Sequence, residues 1–267
     1  MKNKQEKNQQ RLNRLRLLDD DFMNKAFEDS DCTELLLQVI LNKADLNVQR
    51  VQTQVALQNL QGRSARLDIL ATDTQGNRYN VEVQRKDDGA LPKRARYYSS
   101  MLDANITNPG EEFNDLPESY VIFITEKDVL QNGKPIYHID RIVAETGRRF
   151  NDAAHIIYVN AQIQDETALG RLMHDFHCTN ADDMHYSVLA ERVRYFKENE
   201  KGVTTMSEIW DEVREEGKEE KATEMAKSML QDNYLNYDKI AEYSGLPLDT
   251  VLTLAKEVHW NNQTVRC

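Results

Sequence analysis

Residues 64–86 read SARLDILATDTQGNRYNVEVQRK, and this stretch predicts the β-hairpin on which the fold depends. Its centre, Asp73-Thr-Gln-Gly-Asn77, is typical of a three-residue hairpin loop, in which a type I turn is followed by a left-handed glycine. This loop pairs Asp73 with Asn77. Counting back along both strands then places Asp68 directly opposite Glu82. The sequence therefore predicts two carboxylates side by side on one face of a sheet.

The same register sorts the hairpin side chains by polarity, because successive residues of a strand point to opposite faces. One face is apolar and consists of Ala65, Leu67, Ile69, Ala71, Tyr79, Val81 and Val83. The other face is mostly polar and consists of Arg66, Asp68, Leu70, Asn80, Glu82, Gln84 and Lys86. A slip of one residue would exchange the two faces, so this sorting supports the register.

The opposed carboxylates suggest a metal site. Their Cβ atoms would lie about 5 Å apart, and like charges so placed normally destabilise a sheet. Mg²⁺ removes this objection, since it prefers carboxylate oxygens and retains several waters. Such an ion activates water and neutralises charge on a phosphate under attack. Gln84 is close enough to orient that water, and Lys86 shares its face. Spacing alone fits a solvated polar face equally well, with the acids paired to Arg66 and Lys86.

The surrounding pattern predicts a mixed α/β core followed by an all-helical C-terminal extension. We expect helices at 19–42 and 92–106, the latter with a buried stripe, and strands at 48–58, 120–125, 136–143 and 155–160. Helical periodicity continues from 164 to the end. The predicted divisions are a basic N-terminal tail at 1–17, a core domain at 18–200 and a helical extension at 201–267. The stripe of the second helix consists of Leu91, Ala95, Tyr98 and Leu102.

Composition sets the broad class of the protein. Its 267 residues are 40% hydrophobic, which is enough for a real core, and no apolar run approaches the ~20 residues of a membrane helix. Three widely spaced cysteines argue against a disulfide framework. The N-terminus lacks the apolar stretch of a signal peptide, so we expect a cytoplasmic protein without membrane association.

The charge distribution limits where nucleic acid could bind. A net charge of −11 argues against a simple electrostatic DNA binder. Basic side chains nevertheless concentrate in residues 1–16 and 85–96, whereas acids cluster in 208–224. We therefore expect any nucleic-acid surface in the first half of the chain.

The hairpin also carries a family resemblance. The runs Arg63-Ser-Ala-Arg-Leu-Asp-Ile-Leu-Ala71 and Tyr79-Asn-Val-Glu-Val-Gln-Arg85 resemble the PD-(D/E)XK nuclease family transposases, the recombination-promoting nuclease group. Further agreement lies at 19–27, 93–98, 116–124 and 137–139, so the resemblance covers about residues 18–200. It implies a restriction-endonuclease-like mixed β-sheet flanked by helices.

The resemblance also implies a set of site residues. Asp68 and Glu82 would hold Mg²⁺ or Mn²⁺, joined by the carbonyl of Val83, and the ion would support phosphodiester hydrolysis. Gln84 stands where the wider superfamily has lysine, so the source of positive charge stays open. The candidates are Lys86 and Arg94 for that charge, Arg66 and Tyr98 for support, and Glu34 or Asp20 for an additional acid.

Two hypotheses of different classes follow. The first is a metal-dependent DNA endonuclease or transposase. The second is a catalytically inactive nucleic-acid-binding or assembly protein on the same fold, favoured by the overall acidity and the missing lysine. RNA stays open as a substrate, although no RNA-binding module is recognisable. Residues 240–251 resemble a helix–turn–helix, but the second helix is not basic, which favours packing or homo-oligomerisation over DNA reading.

A second metal pattern has a weaker basis in the sequence. His174, His177 and Cys178 have helical spacing, and His185 is nearby. Structural zinc sites usually have four ligands in more tightly paired spacing. Ordinary surface or core histidines are therefore the preferred interpretation.

Overall fold

The computed structural model describes residues 2–59, 62–85, 87–107, 110, 112–232 and 234–264. These residues fall into two compact units, one ending at Val203 and the other beginning at Thr204. The strands are β1 Val48–Leu57, β2 Ala65–Asp73, β3 Arg78–Gln84, β4 Ser119–Thr125, β5 Ile136–Ile139, β6 Ile142–Val143, β7 Arg148–Arg149 and β8 Ala154–Asn160. The helices are α1 Lys2–Leu12, α2 Asp20–Ala26, α3 Ser30–Leu41, α4 Pro92–Ile106, α5 Ala168–His177, α6 Ser187–Glu198, α7 Glu200–Asp232, α8 Tyr237–Ser244 and α9 Leu248–Thr264.

The core is a six-stranded mixed sheet of order β1-β2-β3-β4-β8-β5, which confirms the predicted fold class. β1, β2 and β3 form an antiparallel meander, and β3, β4 and β8 run parallel. β5 pairs with β8 in the antiparallel sense. Every residue of β4 is buried, as expected for a central strand with both faces covered. α4 connects the parallel strands β3 and β4, because such strands need a crossover.

The hairpin has the predicted register. Ile69 pairs with Val81 and Ala71 with Tyr79, and the loop glycine, Gly76, has a left-handed φ of 89°. The Asp73 carboxylate stabilises the loop by accepting hydrogen bonds from the backbone N–H groups of Gln75 and Asn77. All seven side chains of the predicted apolar face are buried.

Helix α4 covers the other face of the sheet. It has the predicted bounds, with Pro92 in its first turn, where the missing N–H has no intrahelical partner to lose. Tyr98 stacks on Phe123 with ring centroids 6.3 Å apart. Phe123 is the neighbour of Glu82 across the β3–β4 ladder, so α4 packs on the face that carries Glu82. Of the predicted stripe, only Leu91 is wrong: it precedes the helix and is 53% exposed.

Three other expectations need correction or refinement. The single helix predicted at 19–42 is wrong, because Asp29 begins a second helix by accepting hydrogen bonds from the N–H groups of Asp31 and Cys32. The strand predicted at 136–143 breaks after Ile139. The segment predicted as a basic tail contains α1, and Leu12 and Leu17 within it are buried.

The second unit is helical and has its own small core. Gly245 ends α8 in the left-handed conformation with φ of 75°, which lets the chain turn into α9. Within the described ranges, no helix combines the length and apolar character needed to cross a bilayer. The buried side chains of this unit include Ala226, Leu230, Ile240, Leu246, Val251, Leu254 and Ala255.

Candidate active site

The two predicted carboxylates meet where the β2–β3 ladder ends. The last residues paired through their backbones are Ile69 and Val81. Beyond them, the side chains of Asp68 and Glu82 each bond to the backbone of the opposite strand. Oε1 of Glu82 accepts a hydrogen bond from the Asp68 N–H at 3.2 Å, and Oδ2 of Asp68 accepts one from the Val83 N–H at 3.2 Å. Each carboxylate is thus held by the backbone of the opposite strand, and both are fixed side by side.

Burial makes this pair electrostatically unfavourable when both groups are ionised. Glu82 is fully buried and Asp68 half-buried. Burial, reinforced by the charge of Asp68, raises the pKa of Glu82 to about 8. Burial also raises the pKa of Asp68 to about 6, against the hydrogen bond from Val83. The solvated-face alternative is therefore wrong for Glu82, and the pair is suited to a bound cation.

Arg94 is a cationic side chain that contacts Glu82 directly. Its Nη2 lies 3.3 Å from Oε2 of Glu82 and donates to the Tyr98 hydroxyl at 2.7 Å. Its Nη1 donates to the Gly89 carbonyl at 2.8 Å. The side chain is one-third exposed, so the guanidinium is oriented by α4 and the preceding turn yet still reaches solvent.

Gln84 is the last residue of β3, and the backbone of Gly89 lies close to its side chain. Gly89, in the 3₁₀ turn Asp87–Ala90, packs against its side chain. A Cβ added at Gly89 would overlap Oε1 of Gln84. The absence of a side chain at 89 therefore leaves room for the Gln84 amide, a role that the sequence pattern did not reveal.

A cleft of about 780 Å³ opens onto Asp68, whereas its buried neighbour Glu82 does not line the cleft. Its lining includes Asp68, Val83 and Gln84. Although the whole chain is acidic, basic side chains outnumber acids in this wall: four basic side chains and two tyrosines line it, against the acids Asp20 and Asp68. The basic and tyrosine side chains are Arg63, Arg66, Lys93, Arg94, Tyr97 and Tyr98.

The structure distinguishes the two candidates for an additional acid. Asp20, at the start of α2, lines the cleft, and its charge raises the pKa of Asp68. Glu34 is not placed there. Its carboxylate accepts from the Val48 N–H at 2.8 Å and from the Gln38 side chain, which anchors the start of β1. The suggestion of Glu34 as a site acid is therefore not supported.

The remaining candidates differ in how they are placed. Lys86 lies outside the described residues. Arg66 lines the cleft, and its carbonyl accepts a hydrogen bond from Tyr98 at 3.4 Å. Arg85, adjacent to Gln84, pairs instead with Asp19 at 2.5 Å and with Glu126 at 3.2 Å.

Comparison with known proteins gives one match. A family model described as PD-(D/E)XK nuclease family transposase matches residues 25–239, which is most of the 267-residue chain. The matched segment includes the whole sheet and the Asp68–Glu82 pair. No curated protein and no solved structure matches the chain significantly.

Proposed function

The chain belongs to the PD-(D/E)XK nuclease family transposases, and from this premise we propose that it is a metal-dependent endonuclease that hydrolyses phosphodiester bonds in DNA. One observation carries the proposal: Asp68, which lines a basic cleft, is fixed side by side with the buried Glu82. Paired carboxylates supply oxygen ligands for a divalent ion, and a basic wall attracts a phosphate backbone.

The donor set fits Mg²⁺ or Mn²⁺. Asp68 and Glu82 offer carboxylate oxygens, and the backbone carbonyl of Val83 is the proposed third ligand. Because burial raises the pKa values of both acids, a nearby positive charge favours their joint ionisation. When bound, the ion activates water and neutralises charge on the scissile phosphate.

The protein side chains supply orientation and additional charge. Gln84 lines the cleft beside Asp68, where its neutral amide can orient the attacking water. Arg94 contacts Glu82 and faces the cleft, so it supplies the charge that lysine provides in the wider superfamily. Arg63, Arg66 and Lys93 hold the phosphate backbone.

We expect Arg94→Gln to lower kcat for DNA cleavage by about 100-fold, the usual order for loss of a preorganised charge at a developing anion. The matched control is Arg96→Gln, because Arg96 is exposed on the same helix and should change kcat by no more than about two-fold. Steady-state cleavage with saturating Mg²⁺ measures both. Wild-type kcat in Arg94→Gln would assign the charge to another residue.

Metal binding to the DNA-free protein is the first test of the proposal. In calorimetric titrations with Mn²⁺ and Mg²⁺, we expect a single site in the wild type that Asp68→Ala abolishes, because half of the carboxylate pair is then missing. Asp45→Ala, which changes an exposed acid, should bind like the wild type. Wild-type affinity in Asp68→Ala would contradict the assignment.

One observation favours a second function. Gln84 is neutral where the wider superfamily has lysine, which suits a catalytically inactive nucleic-acid-binding or assembly protein. Such a protein would bind DNA with a marked salt dependence but would leave linear, supercoiled and single-stranded DNA, and RNA, uncut in Mg²⁺ and Mn²⁺. A cleavage screen run beside a salt titration separates the two functions.

A further inference from the structure

Four side chains with metal-binding atoms gather where α5 ends and α6 begins. Nδ1 of His174 lies 3.5 Å from Sγ of Cys178, one helical turn away. Oδ1 of Asp175 lies 3.4 Å from the same Nδ1, and one donor atom from each of the three residues lies within 4.8 Å of the other two. The ring of His185 lies beside that of His174, with centroids 4.7 Å apart. All four residues belong to the first unit.

The two shortest separations match a tetrahedral zinc site. Zinc–nitrogen and zinc–oxygen bonds of about 2.1 Å and a zinc–sulfur bond of about 2.3 Å place tetrahedral ligands about 3.4 to 3.6 Å apart. We propose that His174, Asp175 and Cys178 bind a structural zinc ion. The exposed ring of His185 completes the set of four ligands.

Hydrogen bonding alone explains only part of this cluster. The buried Asp175 carboxylate accepts from the N–H groups of His185 at 2.8 Å and Tyr186 at 2.9 Å, and so fixes the start of α6. That role requires neither a thiol nor an imidazole, and each carboxylate oxygen keeps a lone pair for a cation. What points to a metal ion is that the His174 imidazole and the Cys178 thiol lie close to this carboxylate, with the His185 ring beside that of His174.

The chemistry of these donors separates this site from the Asp68–Glu82 pair. A thiolate and imidazole nitrogens select zinc, whereas an oxygen-only site selects Mg²⁺ or Mn²⁺. The sequence argued against zinc because paired close spacing is missing. The fold instead brings His185 back to α5 through the hydrogen bonds that Asp175 makes with the start of α6.

The test uses cobalt as a spectroscopic probe of the full-length protein after treatment with a chelator. We expect one equivalent of Co²⁺ to give a thiolate charge-transfer band together with the intense visible bands of a tetrahedral ion, and one equivalent of Zn²⁺ to displace it. The Asp68→Ala variant should give the same spectrum. The readout is thus independent of nuclease activity and of the Mg²⁺ site.

Two variants and a matched control locate the ligands. Cys178→Ser should abolish the charge-transfer band, and His174→Ala should weaken Zn²⁺ binding by at least about 100-fold, since even loss of a residue behind a ligand costs 10- to 100-fold. His177→Ala is the control, because its Nδ1 contacts the Met173 carbonyl at 2.8 Å, outside the cluster. Cobalt bound without a thiolate band, or His174→Ala with wild-type zinc affinity, would overturn the proposal.

Discussion

We expect Asp68→Asn to lower metal-dependent DNA cleavage by at least about 10³-fold, or about 4 kcal/mol of transition-state stabilisation. Asparagine has nearly the same size, and its carbonyl oxygen can still accept the hydrogen bond from Val83 that Asp68 accepts at 3.2 Å. The fold should therefore persist while the charged metal ligand is lost. Single-turnover rates in Mg²⁺ and in Mn²⁺, with protein in excess over DNA, measure the chemical step.

Glu34→Gln provides the matched control for this experiment. Glu34 is also a half-buried acid with a backbone hydrogen bond, but its partner is Val48 at the start of β1 and it does not line the cleft. Its replacement should leave the cleavage rate within about two-fold of the wild type. Cleavage at wild-type rates by a folded Asp68→Asn protein would contradict the assignment of the metal site, whatever the effect of Glu34→Gln.

The hairpin shows why part of the site could be predicted from sequence. The loop type fixes which residues pair, and the period of two fixes which side chains share a face. Gly76 and the alternation of apolar residues were therefore sufficient to place Asp68 beside Glu82. Both rules depend on neighbouring residues in the chain, so they need no knowledge of the packing around the hairpin.

The electrostatic character of the site depends on contacts that the local sequence does not reveal. The alternation predicts a polar face but not that α4 covers it, and this packing buries Glu82 completely. Gly89 similarly stands in an unremarkable Asp-Asp-Gly-Ala run, and its importance emerges only from its contact with Gln84. Burial and close approach are tertiary properties, which pattern and propensity leave undetermined.

The upstream acids illustrate the same limit at longer range. Asp20 is one of three consecutive aspartates, and Glu34 lies in a helical stretch, so the sequence favours neither. Which of the two acids reaches the cleft depends on where the predicted helix is interrupted. The interruption lies between α2 and α3, where Asp29 caps the start of α3. Asp20 then lines the cleft, whereas Glu34 bonds to β1.

We also expect Glu82→Gln to stabilise the metal-free protein at alkaline pH, by at least about 2 kcal/mol. This magnitude follows from the raised pKa of Glu82, because each unit of pKa difference between the folded and unfolded chain corresponds to about 1.4 kcal/mol. The pKa of Glu82 is raised from 4.5 to about 8, chiefly by burial. Below about pH 4.5 both the folded and the unfolded chain bind the proton, so this group has no effect on stability. Between these two values only the folded chain keeps it, and stability therefore falls as the pH rises, levelling off above about 8.

Urea unfolding in the presence of a chelator measures this difference. Wild type and Glu82→Gln should have similar free energies of unfolding at about pH 5 and diverge towards about pH 9. Glu126→Gln is a control for which we expect the opposite change in stability. Burial raises the pKa of Glu126, but the hydrogen bonds from Arg16 and Arg85 have the larger effect, so the pKa is lowered overall. Loss of the ionised Glu126 carboxylate should therefore destabilise the protein at high pH. Equal unfolding free energies for wild type and Glu82→Gln at about pH 9 would mean that the ionised Glu82 carboxylate does not destabilise the metal-free protein.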